Sequence, residues 1–154
     1  YRQAHSLMRA LGSGQLFVTQ INLAILDLAR GRYARAHTAI KPLIVDLKGK
    51  QNWAAMAVVR LICLPDLAEK HHWAEWDRNY QPAFFLVEEH ALRDPELAWT
   101  AQLVGDATRK AGQPTRAAHV YRLALAQWTT LGREEQKQSV QRALDQMAEE
   151  GAKR

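Results

Sequence analysis

Cysteine is nearly absent from this chain: Cys63 is the only one. A single thiol excludes an internal disulfide framework. It stands in the run Val58-Val59-Arg60-Leu61-Ile62-Cys63-Leu64, the setting of a buried, inert thiol rather than a nucleophile. No apolar run approaches the roughly 20 residues that cross a bilayer, and no basic-then-apolar leader opens the chain. A cytoplasmic module is the expectation, and membrane is not among its expected partners. A strictly alternating strand pattern is missing. So is a phosphate-binding loop, because Gly12-Ser13-Gly14 has no strand pattern before it and no lysine after it. Glu88-Glu89 and Glu134-Glu135 are adjacent pairs whose side chains diverge on a helix, which argues against a catalytic dyad. His71 and Glu75 are four apart beside His72, but no third ligand is near in sequence, and zinc sites want three or four. A solvated turn explains that pair better. No catalytic residue, metal or cofactor is expected, and the chain does not read as an enzyme.

Apolar residues make up 47% of the 154, enough for one domain with a real core. The formal charge of +5 is unevenly spread. Residues 30–50 carry Arg30, Arg32, Arg35, Lys41, Lys48 and Lys50 against Asp46 alone. Residues 51–100 carry four bases and eight acids. Such alternation pairs neighbouring units or orients a charged partner. Arg32, Arg35 and Lys41 do not make one helical stripe, and no aromatic platform is interleaved beyond Tyr33, so nucleic acid is not the expected partner.

The stretch from Leu97 to Trp128 organises what remains. Two apolar-periodic segments flank Gly112. In the second, Ala117, Tyr121 and Ala124 recur at spacings of four and three, one face of a helix. Gly112 suits a helix C-cap and Pro114 the first turn of the next helix. Gly105 lets another helix come close. Arg30 to Leu43 repeats the second half, with Gly31, Tyr33, Ala36, Ile40 and Leu43 in the equivalent places. Tyr1 to Leu11 aligns with Tyr33 to Leu43, and Trp73 to Ala83 is a further copy in which Trp76 replaces the small alanine. That hairpin is expected to splay. Pro42 and Pro82 fall at one repeat position, where each is expected to kink its helix. Asn52 and Asp94 read as N-caps, the latter followed by Pro95 and Glu96. One helix is expected from Trp53 to about Lys70, perturbed at Pro65-Asp66.

The order small, Gly, Ala, aromatic, Ala resembles the tetratricopeptide (TPR) repeat of roughly 34 residues. Gly105, Gly112, Ala117, Tyr121 and Ala124 match its signature positions. The tryptophan expected early in the first helix is displaced to Trp99, and Thr129 stands where a closing proline is common. The resemblance implies an all-α fold, a right-handed α-solenoid of antiparallel helical hairpins with about eight helices. It divides one domain, 1–154, into a half repeat 1–14, a repeat 15–50, an atypical repeat 51–94, a repeat 95–130 and a capping helix 131–150.

What the resemblance implies about function is a protein-interaction, scaffold or regulatory module. First helices of TPR repeats line a groove that takes a partner protein or peptide. Here they supply Asn22, Ile25, Arg60, Glu69, Trp99, Gln102, Asp106 and Arg109. A carboxylate clamp is not expected, since Ile21 and Ile25 stand where Lys and Asn would be wanted and Asp106 has the wrong sign. Trp53, Trp73, Trp76, Trp99 and Trp128 read as core packing or as interface anchors. A peptide or small-ligand sensor of a larger regulator is the second reading. Self-association is the third: Tyr1–Leu11 reads as a second helix without its own first helix, which implies a weak homodimer through that end or fraying.

Overall fold

A computed structural model describes residues 15–153, with side chains from Phe17 onward. The half repeat 1–14, and with it the self-association expected of Tyr1–Leu11, lies outside those residues. Every regular element among them is helical: α1 (Gln15–Ala29), α2 (Tyr33–Asp46), α3 (Trp53–Ile62), α4 (Leu64–Glu69), α5 (Trp73–Glu89), α6 (Pro95–Lys110), α7 (Pro114–Thr130) and α8 (Glu134–Ala152). No helix among the described residues is long and apolar enough to cross a membrane.

The helices stop at a recurring turn. After α1, α6 and α7 the chain passes through Gly31, Gly112 and Gly132 at φ of 75°, 84° and 70°. In each, two amide N–H groups reach back to carbonyls of the last helical turn, as in Arg32 to Asp27 (2.8 Å) and Gln113 to Thr108 (3.2 Å). Glycine is favoured there because a Cβ strains the left-handed conformation. The turns after α4 and α5 make the same bonds, His72 to Leu67 and Leu92 to Val87, but use His71 (φ 57°) and Ala91 (φ 47°). Ala91 is exposed, so its methyl makes no packing that would offset the strain. Ala91→Gly is expected to stabilise the protein by about 0.5–1 kcal/mol, a Tm rise of about 1–4 °C. A lower Tm would mean that the turn is held by something other than its backbone conformation.

Asn52 accepts from the Ala55 amide at 3.1 Å, and Asp94 accepts from those of Glu96 (2.8 Å) and Leu97 (3.2 Å), so both read caps form. One expected helix is broken: residues 53–70 divide at Cys63 into α3 and α4. Pro65 has no N–H to bond back to the Leu61 carbonyl, and at the break the Cys63 thiol donates to the Arg60 carbonyl (2.9 Å). Burial pushes that thiol up to about 12, so it stays protonated and inert. Pro42 and Pro82 both lie inside continuous helices, α2 and α5.

Packing follows the hairpins. α1 lies on α2, α3 on α5, and α6 most extensively on α7. In the α6–α7 pair, Trp128 bonds Gln102 while Tyr121 bonds Asp106, so one chain advances as the other recedes and the two are antiparallel. α3 and α4 also pack on α6, α1 on α3, and α8 on α7. Side-chain pairs fix the sense of non-consecutive helices. Tyr80–His119 and Asp77–Arg116 are both separated by 39 residues, so α5 and α7 run the same way. Gln102–Ser139 and Arg109–Gln146 are both separated by 37, so α6 and α8 do too.

The core is one cluster running from Ile21 through Ile40, Leu61, Trp76, Tyr80, Val104 and Tyr121 to Val140. Trp76 is 2% exposed, and α5 packs on α3, though less extensively than α6 on α7.

One polar cluster ties the first hairpin to the second. Asp66 is 4% exposed and meets His37 Nδ1 at 2.7 Å and Lys70 Nζ at 3.1 Å. Burial alone would raise its carboxyl, but the hydrogen bonds from His37 and Lys70 outweigh it and hold the carboxyl below the usual range. A group depressed in the folded state stabilises above its unfolded pKa, and that share is lost as pH falls through the folded value. Asp66→Asn is therefore expected to cost about 1–3 kcal/mol near neutral pH and to flatten the acid limb of the stability curve below pH about 4. Urea unfolding across that range tests it. An unchanged acid limb would show that other carboxylates set it.

Candidate functional site

Two clefts hold three of the expected groove residues, Trp99 and Gln102 in one and Glu69 in the other. The larger, about 410 Å³, lies between the N-terminal halves of α6 and α8. Its walls are Pro95, Glu96, Trp99, Gln102, Trp128, Arg133 and Gln136. The Asp94 cap and Pro95 start α6 so that Glu96 and Trp99 fall on adjacent turns of one face. Trp128, 6% exposed, closes the base, and its indole N–H donates to Gln102 Oε1 at 3.0 Å. The Gln102 amide group in turn donates to Ser139 Oγ on α8 (3.4 Å), so the glutamine is held from two sides. Trp99 is different: 39% of it is exposed, on the wall of the cleft. Arg133 opens α8 and lines the opposite wall without a salt bridge among the described residues. Burial, and then the neighbouring Asp94, raise the Glu96 carboxyl above its ordinary value. This cleft therefore offers an exposed indole, a free guanidinium and a desolvated acid, all on helices held by internal hydrogen bonds.

The expected groove residues divide among several environments. Trp99 and Gln102 share the α6–α8 cleft, and Glu69 lines the second cleft. Asn22 is exposed on α1, and Arg60 is half-buried on α3. Ile25 is 2% exposed and belongs to the core, so it presents nothing to a ligand. Asp106 accepts a short hydrogen bond, 2.5 Å, from the Tyr121 hydroxyl. Burial, then that hydrogen bond, raise the Tyr121 hydroxyl, so it remains a donor. Arg109 is engaged by Glu150 at 2.8 Å. Asp106 and Arg109 thus hold helices together as well as lining the surface.

Glu96, Arg133 and Gln136 were not legible as lining residues. The first turn of α8 reads from sequence as the wet face of an end cap. Nothing in the sequence says that its start is brought over Trp99. None of the arginines and lysines of 30–50 is paired with an acid of 51–100 among the described residues. The acidic stretch is met from the other side, where Arg116 makes a bidentate pair with Asp77, both contacts at 2.9 Å, and lies 5.2 Å from the Trp73 ring centre. His71, His72 and Glu75 gain no third ligand, and no group of metal-ligating side chains forms among the described residues.

A wider hollow of about 630 Å³ runs between α7 and α8 past Ala118, Leu125, Leu144 and Met147. It brings together none of the expected site residues. No family model matches this chain, and neither a curated protein nor a solved structure gives a significant match.

Proposed function

We propose that this chain is a TPR-like α-solenoid whose first helices bind a partner protein or peptide, with the α6–α8 cleft as the main contact. The repeated turns at Gly31, His71, Gly112 and Gly132 support the solenoid, each followed two residues later by a new helix start. So do the same-sense pairs α5–α7 and α6–α8, as expected when a hairpin is stacked on its own copy. On this reading residues 15–50, 51–94 and 95–130 are the stacked units, and α8 caps them.

The observation that carries the partner reading is the exposed indole of Trp99 beside Arg133. Tryptophan and arginine are the residues most enriched at interface hot spots. Trp99 is 39% exposed in a cleft whose other tryptophan, Trp128, is buried. A peptide chain fits this cleft by placing an apolar side chain on Trp99 and a carboxylate on Arg133. No catalytic role is assigned to any side chain here, and the module is read as cytoplasmic.

Selection of peptides from a displayed random library against the immobilised chain tests this. Trp99→Ala is expected to weaken any selected peptide at least about tenfold while leaving Tm unchanged, since the side chain is not core. Peptides that bind equally well to the variant would place the contact elsewhere. A second reading, self-association, is favoured by Val18 (51% exposed), Leu23 (41%) and Leu26 (42%), which lie on α1 alone. Light scattering over a range of concentrations separates it from peptide capture.

A further inference from the structure

The C-terminal ends of α4 and α6 meet the turn after α1 around the second cleft, of about 330 Å³. Pro65 and Ala107 give it an apolar floor, and Tyr33, Glu69, His71 and Lys110 give it a polar rim. These four side chains share one property. None makes a side-chain hydrogen bond or an ion pair among the described residues. Around them charges are engaged: Asp66 with His37 and Lys70, Asp106 with Tyr121, and Arg109 with Glu150. Glu69 and Lys110 carry opposite signs, line one small cleft, and are not paired with each other.

The two charges are also ordered. The Tyr33 hydroxyl is raised by burial, then by the negative charges of Glu69 and Asp106, so this side of the cleft is the electronegative one. Lys110 supplies the positive side. The aromatic ring of Tyr33 adds a face that a cation favours. His71 occupies the left-handed turn position where Gly31, Gly112 and Gly132 stand in the equivalent turns, so an imidazole is present at some backbone cost. Ala91 shows that this turn accepts a side chain, and only the His71 side chain reaches a cleft. The volume is at the low end of the roughly 300–1,000 Å³ of small-molecule sites, too small for a folded segment.

We propose that this cleft binds a small zwitterion of the α-amino-acid type. Its ammonium group sits between Glu69 and the Tyr33 ring, its carboxylate meets Lys110 and His71, and its side chain lies on the Pro65–Ala107 floor. The site is distinct from the partner cleft, which lies at the other end of α6, and does not rest on the partner reading.

The test uses the full chain with the twenty free amino acids as probes at millimolar concentration, read by thermal shift and by titration calorimetry. At least one is expected to give a saturable rise in Tm. Its N-acetyl form and its methyl ester, each lacking one charge, are expected not to bind. Glu69→Gln and Lys110→Ala are expected to weaken binding at least about tenfold each and to leave the ligand-free Tm unchanged, because both side chains are exposed. Trp99→Ala is expected to leave amino-acid affinity untouched, so loss of the partner cleft and loss of this site are told apart. The proposal is overturned by no saturable shift with any of the twenty. It is equally overturned if the singly charged forms bind as well, or if affinity survives both charge substitutions.

Discussion

Gly105→Leu is expected to destabilise the protein by about 3 kcal/mol or more, and Gly105→Ala by about 1–2 kcal/mol. A Cβ built on Gly105 would lie 2.6 Å from both Cδ1 and Cε1 of Tyr121 and 3.1 Å from Cγ. Real carbon contacts do not come that close, so something must move. The ring is poorly placed to do so. Tyr121 is 1% exposed, its hydroxyl is bonded to Asp106, and Ala117 and Ala124 on the same helix are fully buried. Alanine in a helix interior is worth about 0.8–1 kcal/mol over glycine, which softens the first methyl. The further carbons of leucine have no such return. At about 2–4 °C per kcal/mol for a chain of this size, the leucine variant should lose about 6–12 °C in Tm. The coupling with Tyr121 identifies the mechanism. Tyr121→Ala should be destabilising alone, and the double variant less so than the sum of the two. A leucine variant melting within a degree of the parent would mean that Tyr121 swings aside freely and that the helices do not need this close crossing.

Gly105 was legible because a glycine at this point of a helical pattern has few other uses. So were Gly31, Gly112 and Gly132, where the left-handed turn selects the residue. The caps Asn52 and Asp94 are local chemistry, set within three residues, and local chemistry can be read from sequence. The features that were missed are those a linear pattern does not encode. Asp66 finds His37 across 29 residues, and Tyr80 finds His119 across 39, at 2.6 Å. Gln127 accepts from the Asp94 amide and donates to the Leu92 carbonyl (2.7 Å), which ties down the longer link between α5 and α6. His71 and Ala91 hide their turns because neither residue advertises a positive φ. The candidate site was half legible for the same reason. Trp99 and Gln102 lie on one helix face and were named together, but Arg133 joins them only through the path of α7 and the turn at Gly132.

Trp76→Ala is the substitution that the repeat pattern itself recommends, since Ala36 and Ala117 occupy the equivalent positions and both are fully buried. It is expected to be among the most damaging in the chain, costing about 3–5 kcal/mol. The reason is that the second hairpin has already been rebuilt around the indole. Trp76 stacks on Tyr80 with ring centres 5.0 Å apart and planes 21° apart, and Trp73 lies 6.4 Å away on the other side. Tyr80 continues to Phe84 at 6.1 Å, and His119 of α7 meets both Tyr80 and Phe84 edge-on. Removing the indole leaves a cavity at the end of this column, and its neighbours Tyr80 and Phe84 are held by their own contacts with His119. The indole N–H is buried and has no partner among the described residues, a cost that the native protein already bears. Trp76→Phe removes that donor while keeping a ring on Tyr80, so it should cost less than about half as much as alanine. Urea unfolding of the two variants decides the matter. A loss under about 1 kcal/mol for alanine would show that the surrounding helices close over the space once the indole is gone.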